Sequence, residues 1–536
     1  MPELSNRDAK RRTRPSNAPL LGLALEKGPQ AVPLYRQLYE QLRDAVLDGR
    51  LEPGHRLPAT RVLASELACS RNTVVGAFEQ LLAEGYLEGQ VGAGTFVSRV
   101  LPDDLLSTRR AAEAQSSVQV APPPRLSQRG QALSTIAPPR LNVRAAKLSR
   151  AFAPGIPETG YFPFELWGRM LGRLWRNPTQ SLLRYGDPAG YYPLRVAIAS
   201  YLRAVRALRV QPDQVFITSG SQQAFDLALR ILADPGDKIW LETPGYHGLT
   251  GPVVATGVSK VPLPVDSEGL SVEQGRQRAP EARLAVVSPS HQYPLGVVMS
   301  LARRLELLDW AREADAWILE DDYDSEFRYS GRPLAALQSL DPDRVVYLGS
   351  FSKVLFPSLR IAYLVVPPGL VETFTAARAV IDDHPAITVQ PILADFISQG
   401  HFAAHVRRMR TLYAARQEAL IGHARQHLVG LLDIQPHEAG MHLVAGLTDR
   451  TRRLGSDQQI AALTRNGGLI TPPLGSYSLD GPARPADRQA RAARLQGLVL
   501  GYACLTEEEI KTAVIQLAKV LAQPPAGEPA GAVTGG

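Results

Sequence analysis

The stretch Ala316–Tyr329, AWILEDDYDSEFRY, begins as an apolar strand and ends on three consecutive carboxylates, Glu320, Asp321 and Asp322. Burying carboxylates at a strand end is costly unless they meet cations or hydrogen-bond donors. A metal ion is one solution, but no histidine lies at useful local spacing. A protonated aromatic nitrogen is another, with the Tyr323 phenol reaching an oxygen on the same ring. Adjacent strand residues face opposite sides, so the pattern leaves open whether Asp321 or Asp322 points inward.

Working outward, Tyr347–Pro367 reads YLGSFSKVLFPSLRIAYLVVP. Lys353 follows a strand among small polar residues, where its amine can form a Schiff base with an aldehyde, while Ser350, Ser352 and Arg360 can clamp a phosphate. Upstream, Val215–Leu232 (VFITSGSQQAFDLALRIL) predicts a strand, a Ser219-Gly220-Ser221 turn and a helix. Such a turn offers backbone N–H groups, a hydroxyl and a helix dipole to a phosphate. In Leu241–Gly248 (LETPGYHG) Tyr246 stands at another strand end, where its ring can lie flat against a second ring. Each segment alone has a plainer reading as a cap, a core tyrosine or a surface lysine. Together they make sense as the holder of one phosphorylated aldehyde cofactor.

Around these segments, strand-like runs (VFITSG, KIWLETP, LAVVSPS, AWILEDD, VVYLGSF, IAYLVVP) alternate with helical stretches from residue 151 to 522, which is α/β behaviour. Residues 1–30 read as a mobile basic arm, 31–100 as a small periodic domain, 101–150 as a Pro/Ala/Arg-rich linker, and 523–536 as a disordered tail. The chain has 536 residues, 45% of them hydrophobic, enough for more than one core. It contains no run of about 18 apolar residues, which excludes a membrane-spanning helix. The net charge of +7 is segregated: residues 1–150 hold 21 Lys and Arg against 14 Asp and Glu, and the remainder holds 38 of each. That skew points to an anionic polymer as partner of the N-terminal part. Cys69 and Cys504 form neither a disulfide framework nor a metal-ligand spacing, and the polar start lacks a signal-peptide core; a reducing cytoplasm is the expected location.

In the small domain Tyr35, Leu38, Tyr39, Leu42 and Val46 predict one apolar stripe on a first helix. A second helix runs over about Thr60–Ala68, and Ser70 caps a third whose Val74, Ala77, Phe78, Leu81 and Leu82 face inward. Ser70, Arg71, Asn72 and Thr73 then face outward, where Arg and Asn suit base edges and the helix start suits phosphate. GYLEGQVGAGTFVS follows as two short strands joined through Gly92 and Gly94, a wing for the sugar-phosphate backbone. Cys69 is expected as a buried turn residue.

Pro33–Val97 resembles the winged helix–turn–helix of GntR-type bacterial regulators. The resemblance implies that Arg61, Arg71, Asn72 and Thr73 contact DNA, with Gly92 and Gly94 at the wing. The four segments of the large domain, in their order, resemble fold-type I aminotransferases dependent on pyridoxal 5'-phosphate. That resemblance makes Lys353 the Schiff-base lysine, Asp321 the partner of the ring nitrogen, Tyr323 that of the ring hydroxyl and Tyr246 the stacking ring, with Gly220, Ser221, Ser350, Ser352 and Arg360 on the phosphate. RYGDPAGYYPLR resembles the segment that lends a tyrosine, here Tyr185, to a neighbouring subunit.

Two departures stand out. Where aminotransferases have Asn-Pro-x-Gly, HQYPLG (His291–Gly296) carries Tyr293 in place of the asparagine. Leu498-Val499-Leu500-Gly501-Tyr502 carries Val499 where the family often shows an arginine that grips an amino acid's carboxylate; Arg494 is a possible substitute. An apolar residue cannot pair a carboxylate, which argues against ordinary transamination. Reader, linker and aminotransferase-like body, in that order, resemble the MocR/GabR-type regulators. The expectation is a two-domain transcriptional regulator that binds double-stranded operator DNA and pyridoxal 5'-phosphate, as a head-to-tail domain-swapped homodimer, with turnover not its function. Its effector is the cofactor itself or a small amine or amino-acid-like molecule, GABA and taurine included. A working aminotransferase with an accessory DNA-binding module is the competing reading, and a reader with a cofactor-free body the third.

Overall fold

The computed structural model describes residues 22–28, 31–90, 93–100, 125–136, 151–331, 335–479 and 496–522. They fall into two units, residues 1–125 and 126–536. The disordered-tail expectation for 523–536, Gly92, Arg494 and most of the arm and linker lie outside the described residues.

The first unit is a winged helix–turn–helix. Helices α1 (Leu34–Leu47), α2 (Thr60–Glu66) and α3 (Arg71–Ala83) precede a hairpin of β1 (Leu87–Gln90) and β2 (Gly94–Val97), paired antiparallel with Leu87 opposite Val97. Two edges of the expected core shift. On α1 the buried residues are Leu38, Leu42, Ala45 and Val46, while Tyr35 is 46% exposed. On α3 Leu82 is 37% exposed. A stripe at 3.6-residue spacing narrows where three short helices share one small core, and the large side chains at its margins turn to solvent. Cys69 is half-buried against this core rather than within it. Residues 22–28, expected in a mobile arm, lie along α1: the Ala24 and Glu26 N–H groups donate to Gln41 (3.0 Å) and Gln37 (2.9 Å), and Leu23 and Leu25 pack on the core.

The second unit is an α/β body of fold-type I. Its eight strands, in spatial order, are β3 (Val215–Thr218), β10 (Ala362–Val365), β9 (Val345–Ser350), β8 (Trp317–Asp322), β7 (Leu284–Val287), β4 (Lys238–Thr243), β5 (Ser259–Asp266) and β6 (Gly269–Leu270). Strands β9, β8, β7, β4 and β5 run parallel; β10 is antiparallel to both its neighbours. The central runs of β4, β7, β8 and β9 are apolar because both faces of the sheet are covered there, and the polar residues gather at the strand ends. Phe216, Leu241, Leu319 and Val346 pack towards the helix Ser221–Leu232; Trp240, Ile318 and Val345 pack on the other side with the helix Leu301–Glu313, where the Trp240 and Trp310 rings stack at 3.6 Å. A smaller antiparallel sheet of β11 (Leu432–Ile434), β12 (His442–Leu447) and β13 (Gly497–Gly501) completes the body. No helix among the described residues is long and apolar enough to cross a membrane.

One element is new. Within the expected linker, Gln128–Thr135 forms a helix capped by Ser127, whose Oγ accepts from the Gly130 N–H at 3.0 Å, and this helix lies against the helix Thr250–Thr256. The flanking proline clusters, which favour extended chain, conceal an eight-residue segment free of proline.

Candidate functional site

The strand ends of β4, β7, β8 and β9 open at one edge of the large sheet, the position where parallel α/β sheets hold ligands. At the end of β8 the two acids left open by the sequence separate. Asp322 Oδ2 accepts from Tyr347, from Ser325 (2.8 Å) and from the Arg206 guanidinium (2.8 Å). Asp321 looks the other way, towards Lys353. Burial first, then Asp322, Glu242 and Asp324, push its pKa up to about 8, against the pull of Lys353. Glu242, at the end of β4, is pushed up to about 7 by burial while accepting from the Ser288 N–H and the Gln292 side chain, each at 3.3 Å.

Lys353 is half-buried, and desolvation lowers its pKa while Asp324 and Asp321 oppose that shift. Its Nζ donates to the Gly155 carbonyl at 2.8 Å. Gly155 has φ +72°, and a Cβ there would fall 2.9 Å from Nζ, so only glycine lets the backbone come this close. Opposite, the helix Ser221–Leu232 starts at Gly220, φ +91°. A Cβ on Gly220 would meet Arg360 Nη2 at 2.8 Å, and Arg360 donates to the Ser219 carbonyl at 3.0 Å. Ser350 Oγ accepts from the Ser352 N–H at 3.2 Å, and the buried Ser352 Oγ has no hydrogen-bond partner among the described residues. Tyr246 completes this side: burial raises its pKa, Asp321 adds to the rise, and hydrogen bonds with Gln222 and Ser221 oppose it.

Thus the structure brings Lys353, Asp321, Tyr323, Tyr246, Gly220, Ser221, Ser350, Ser352 and Arg360 to one edge of the sheet. It does not bring Tyr185 there: that ring is 87% exposed and meets His384 edge-on. Tyr293 joins the wall, its hydroxyl 3.1 Å from that of Tyr477, and Val499 is buried beside Leu474 and Tyr477. Sequence reasoning passed over His291 and Asp324. His291 Nδ1 lies 3.0 Å from the Tyr323 hydroxyl and 2.9 Å from Asp324 Oδ2. The signal was present in HQYPLG, two residues before the tyrosine that drew attention.

In the first unit Ser70 Oγ accepts from the Thr73 N–H at 3.1 Å, capping α3. Arg61, Ser70, Arg71 and Asn72 are exposed and Thr73 is half-buried. At the hairpin Gly94 has φ +119°, and a Cβ there would lie 3.1 Å from Arg56 Nε. Arg56, which the sequence reading did not single out, thereby stands at the wing with its guanidinium over Phe96. The unit offers a capped helix start with exposed Arg and Asn, and a basic wing, which is the equipment for a major groove and its phosphates.

Residues 34–97 match the model of the gntR family of bacterial regulatory proteins, and residues 169–516 that of the class I and II aminotransferases. The chain is 42% identical to the probable rhizopine catabolism regulatory protein MocR of Rhizobium meliloti, over 91% of this chain and 93% of that one. It is 32% identical to the pyridoxine biosynthesis transcriptional regulator PdxR of Corynebacterium glutamicum, over 78% and 83%. Among solved structures, the α-aminoadipate aminotransferase LysN of Thermus thermophilus superposes with a TM-score of 0.61 at 27% identity, covering 69% of this chain and 91% of that one.

Proposed function

We propose, from the premise that this chain belongs to the MocR-type transcriptional regulators of the GntR family, that it binds operator DNA in response to pyridoxal 5'-phosphate held in its aminotransferase-like body. The observation that carries this reading is the unfinished state of the strand-end edge. Ser352 Oγ is buried with no partner among the described residues, Gly220 keeps a cradle clear beside Arg360, and burial and the neighbouring acids raise the pKa of Asp321 to about 8. A phosphate and a ring nitrogen supply what each lacks, so the residues fit the cofactor.

The cofactor supplies an electrophilic aldehyde on a pyridine ring. Lys353, its amine made less basic by desolvation, would hold the aldehyde end of the cofactor. Asp321 holds a proton on the ring nitrogen, Tyr246 stacks on the ring, and Gly220, Ser221, Ser350, Ser352 and Arg360 hold the phosphate. Tyr185, exposed in the single chain, serves the partner subunit of a head-to-tail homodimer. Val499 and its apolar neighbours offer no cation to a carboxylate, which favours the cofactor, or an amine lacking an α-carboxylate, as effector. In the reader, Arg61, Ser70, Arg71, Asn72 and Thr73 meet the groove, with Gly92, Gly94 and Arg56 at the wing. Binding in the body shifts a balance of conformations that space the two readers.

The test is a titration of the full chain against the intergenic DNA beside its own gene, with and without pyridoxal phosphate, using Lys353→Ala as control. Salt-dependent, selective binding that responds to the cofactor only in the wild type supports the proposal. Binding indifferent to cofactor overturns cofactor sensing, and loss of the cofactor's visible band on adding an amino donor favours the aminotransferase alternative.

A further inference from the structure

On the Asp322 side of β8, the end of the helix Tyr192–Arg206, the turn 325–331 and the helix His401–His427 border a pocket of about 190 Å³. Three guanidiniums, those of Arg206, Arg328 and Arg410, line it against a single carboxyl, that of Glu326. None of the residues assigned above to the cofactor or to DNA belongs to this lining.

The three cations are not equally provided for. Arg206 lies 2.8 Å from Asp322 Oδ2 and donates to Ser290 at 2.8 Å. Arg328 pairs through Nη2 with Glu438, a mostly exposed side chain, while its Nε is buried with no hydrogen-bond partner among the described residues. A buried N–H on a charged group is costly to leave without an acceptor, and an oxyanion seated on the fork supplies one. Arg410 donates through Nε to the Glu326 carbonyl at 3.0 Å and pairs with no carboxylate among the described residues. Glu326 is a weak counter-ion for it: Oε1 accepts from the Tyr201 hydroxyl at 3.3 Å, and burial, then Asp322, raises the carboxyl's pKa. With Asp322 answering Arg206 and Glu438 answering Arg328, Arg410 is the cation left over, so the pocket attracts anions. Gly331 keeps the approach to Arg328 open. At its φ of +77° a Cβ would fall 3.0 Å from Nη2 and 3.6 Å from Nε.

We infer that this pocket is a second ligand site, which takes a small oxyanion, a carboxylate or a phosphate, on the guanidiniums of Arg328 and Arg410. The planar fork of an arginine matches the paired oxygens of either group. The claim is independent of the cofactor reading, because the two sites share no residue. Asp322 stands between them: it accepts from Arg206 and Ser325 of the pocket and follows Asp321 in β8.

The experiment titrates the full chain with acetate, succinate and inorganic phosphate by calorimetry, at an ionic strength held constant with chloride. The wild type is compared with Arg328→Gln, Arg410→Gln and Val205→Glu. Val205 is 40% exposed on the pocket's lining, so glutamate there leaves the core untouched and sets a rival carboxylate before the arginines. The wild type should take up one anion per chain, and each substitution should weaken that binding about tenfold or more. Preference for succinate or acetate identifies a carboxylate ligand, and preference for phosphate a phosphorylated one. Absence of saturable binding with all three probes overturns the inference, as does binding unchanged in Val205→Glu. Binding that Arg360→Gln abolishes while Arg410→Gln spares it also overturns the inference, by placing the anion in the cofactor's phosphate cradle. Thermal unfolding without anion shows which variants fold, and the surface variant Val205→Glu decides the matter if the arginine variants do not. A chain that shows no visible band with pyridoxal phosphate overturns the cofactor reading instead, and the anion titration then stands or falls by itself.

Discussion

At the end of β8 one acid is provided for by the fold and its neighbour is not. Asp322 accepts from a buried arginine, a tyrosine and a serine. Asp321, one residue earlier and on the opposite face, shares its surroundings with Glu242 and Asp324, and Lys353 is the cation that pulls on it. The contrast separates structural charge from functional charge. A buried carboxylate with its donors in place tells of stability, whereas one whose pKa is pushed up by burial and neighbouring acids is the kind of group that functional sites keep.

Breaking the satisfied face should have the largest effect. Asp322→Ala removes the carboxylate that lies 2.8 Å from the 7%-exposed Arg206 side chain and also accepts from Tyr347 and Ser325, and should cost about 3–5 kcal/mol of stability in denaturant unfolding. On the unsatisfied face, Asp321→Asn should leave the cofactor-free chain close to wild-type stability at acid pH while weakening pyridoxal phosphate binding about tenfold or more, about 1.4 kcal/mol, by equilibrium titration. The same acid sets a pH signature. Its pKa rises on folding from 3.8 to about 8, so the folded state holds the extra proton in that window, and this contribution to stability fades as pH climbs from about 4 to about 8. In Asp321→Asn that part of the slope should vanish, as thermal unfolding across pH will tell. The smallest effect is expected at Ser352→Ala, which removes a buried hydroxyl that has no partner among the described residues: neutral or stabilising by up to about 1 kcal/mol in the cofactor-free chain, with weaker cofactor retention.

Six of the eight strands of the large sheet were legible because each is an apolar run closed by Ser, Thr, Asp or Pro, whereas β5, half-exposed and broken by two prolines, and the two-residue β6 were not; the reader was legible because its capped helix and glycine hairpin are local signals. What escaped is non-local. His291 meets Asp324 across 33 residues of sequence, and Gly155 meets Lys353 across 198. No spacing rule links such positions, since only the fold brings them together. The face of Asp321 was likewise hidden, because strand alternation separates the two acids without saying which side is which. Arg56 escaped for a related reason: its place at the wing depends on a bridge to Phe96 in the hairpin. The misjudged edges, Tyr35 and Leu82, show how a periodic stripe overstates a small core.

The helix Gln128–Thr135 bears on reach. Eight residues of extended chain would span about 27 Å, but wound into a helix they span about 12 Å. A tether that spends part of its contour on a coil spans less distance and samples a smaller volume than its residue count implies. In a dimer with two readers, the effective concentration of the second reader at its half-site depends steeply on that span. Leu133→Pro would return the lost contour to the linker, and a shift in the preferred distance between two half-sites is the expected outcome.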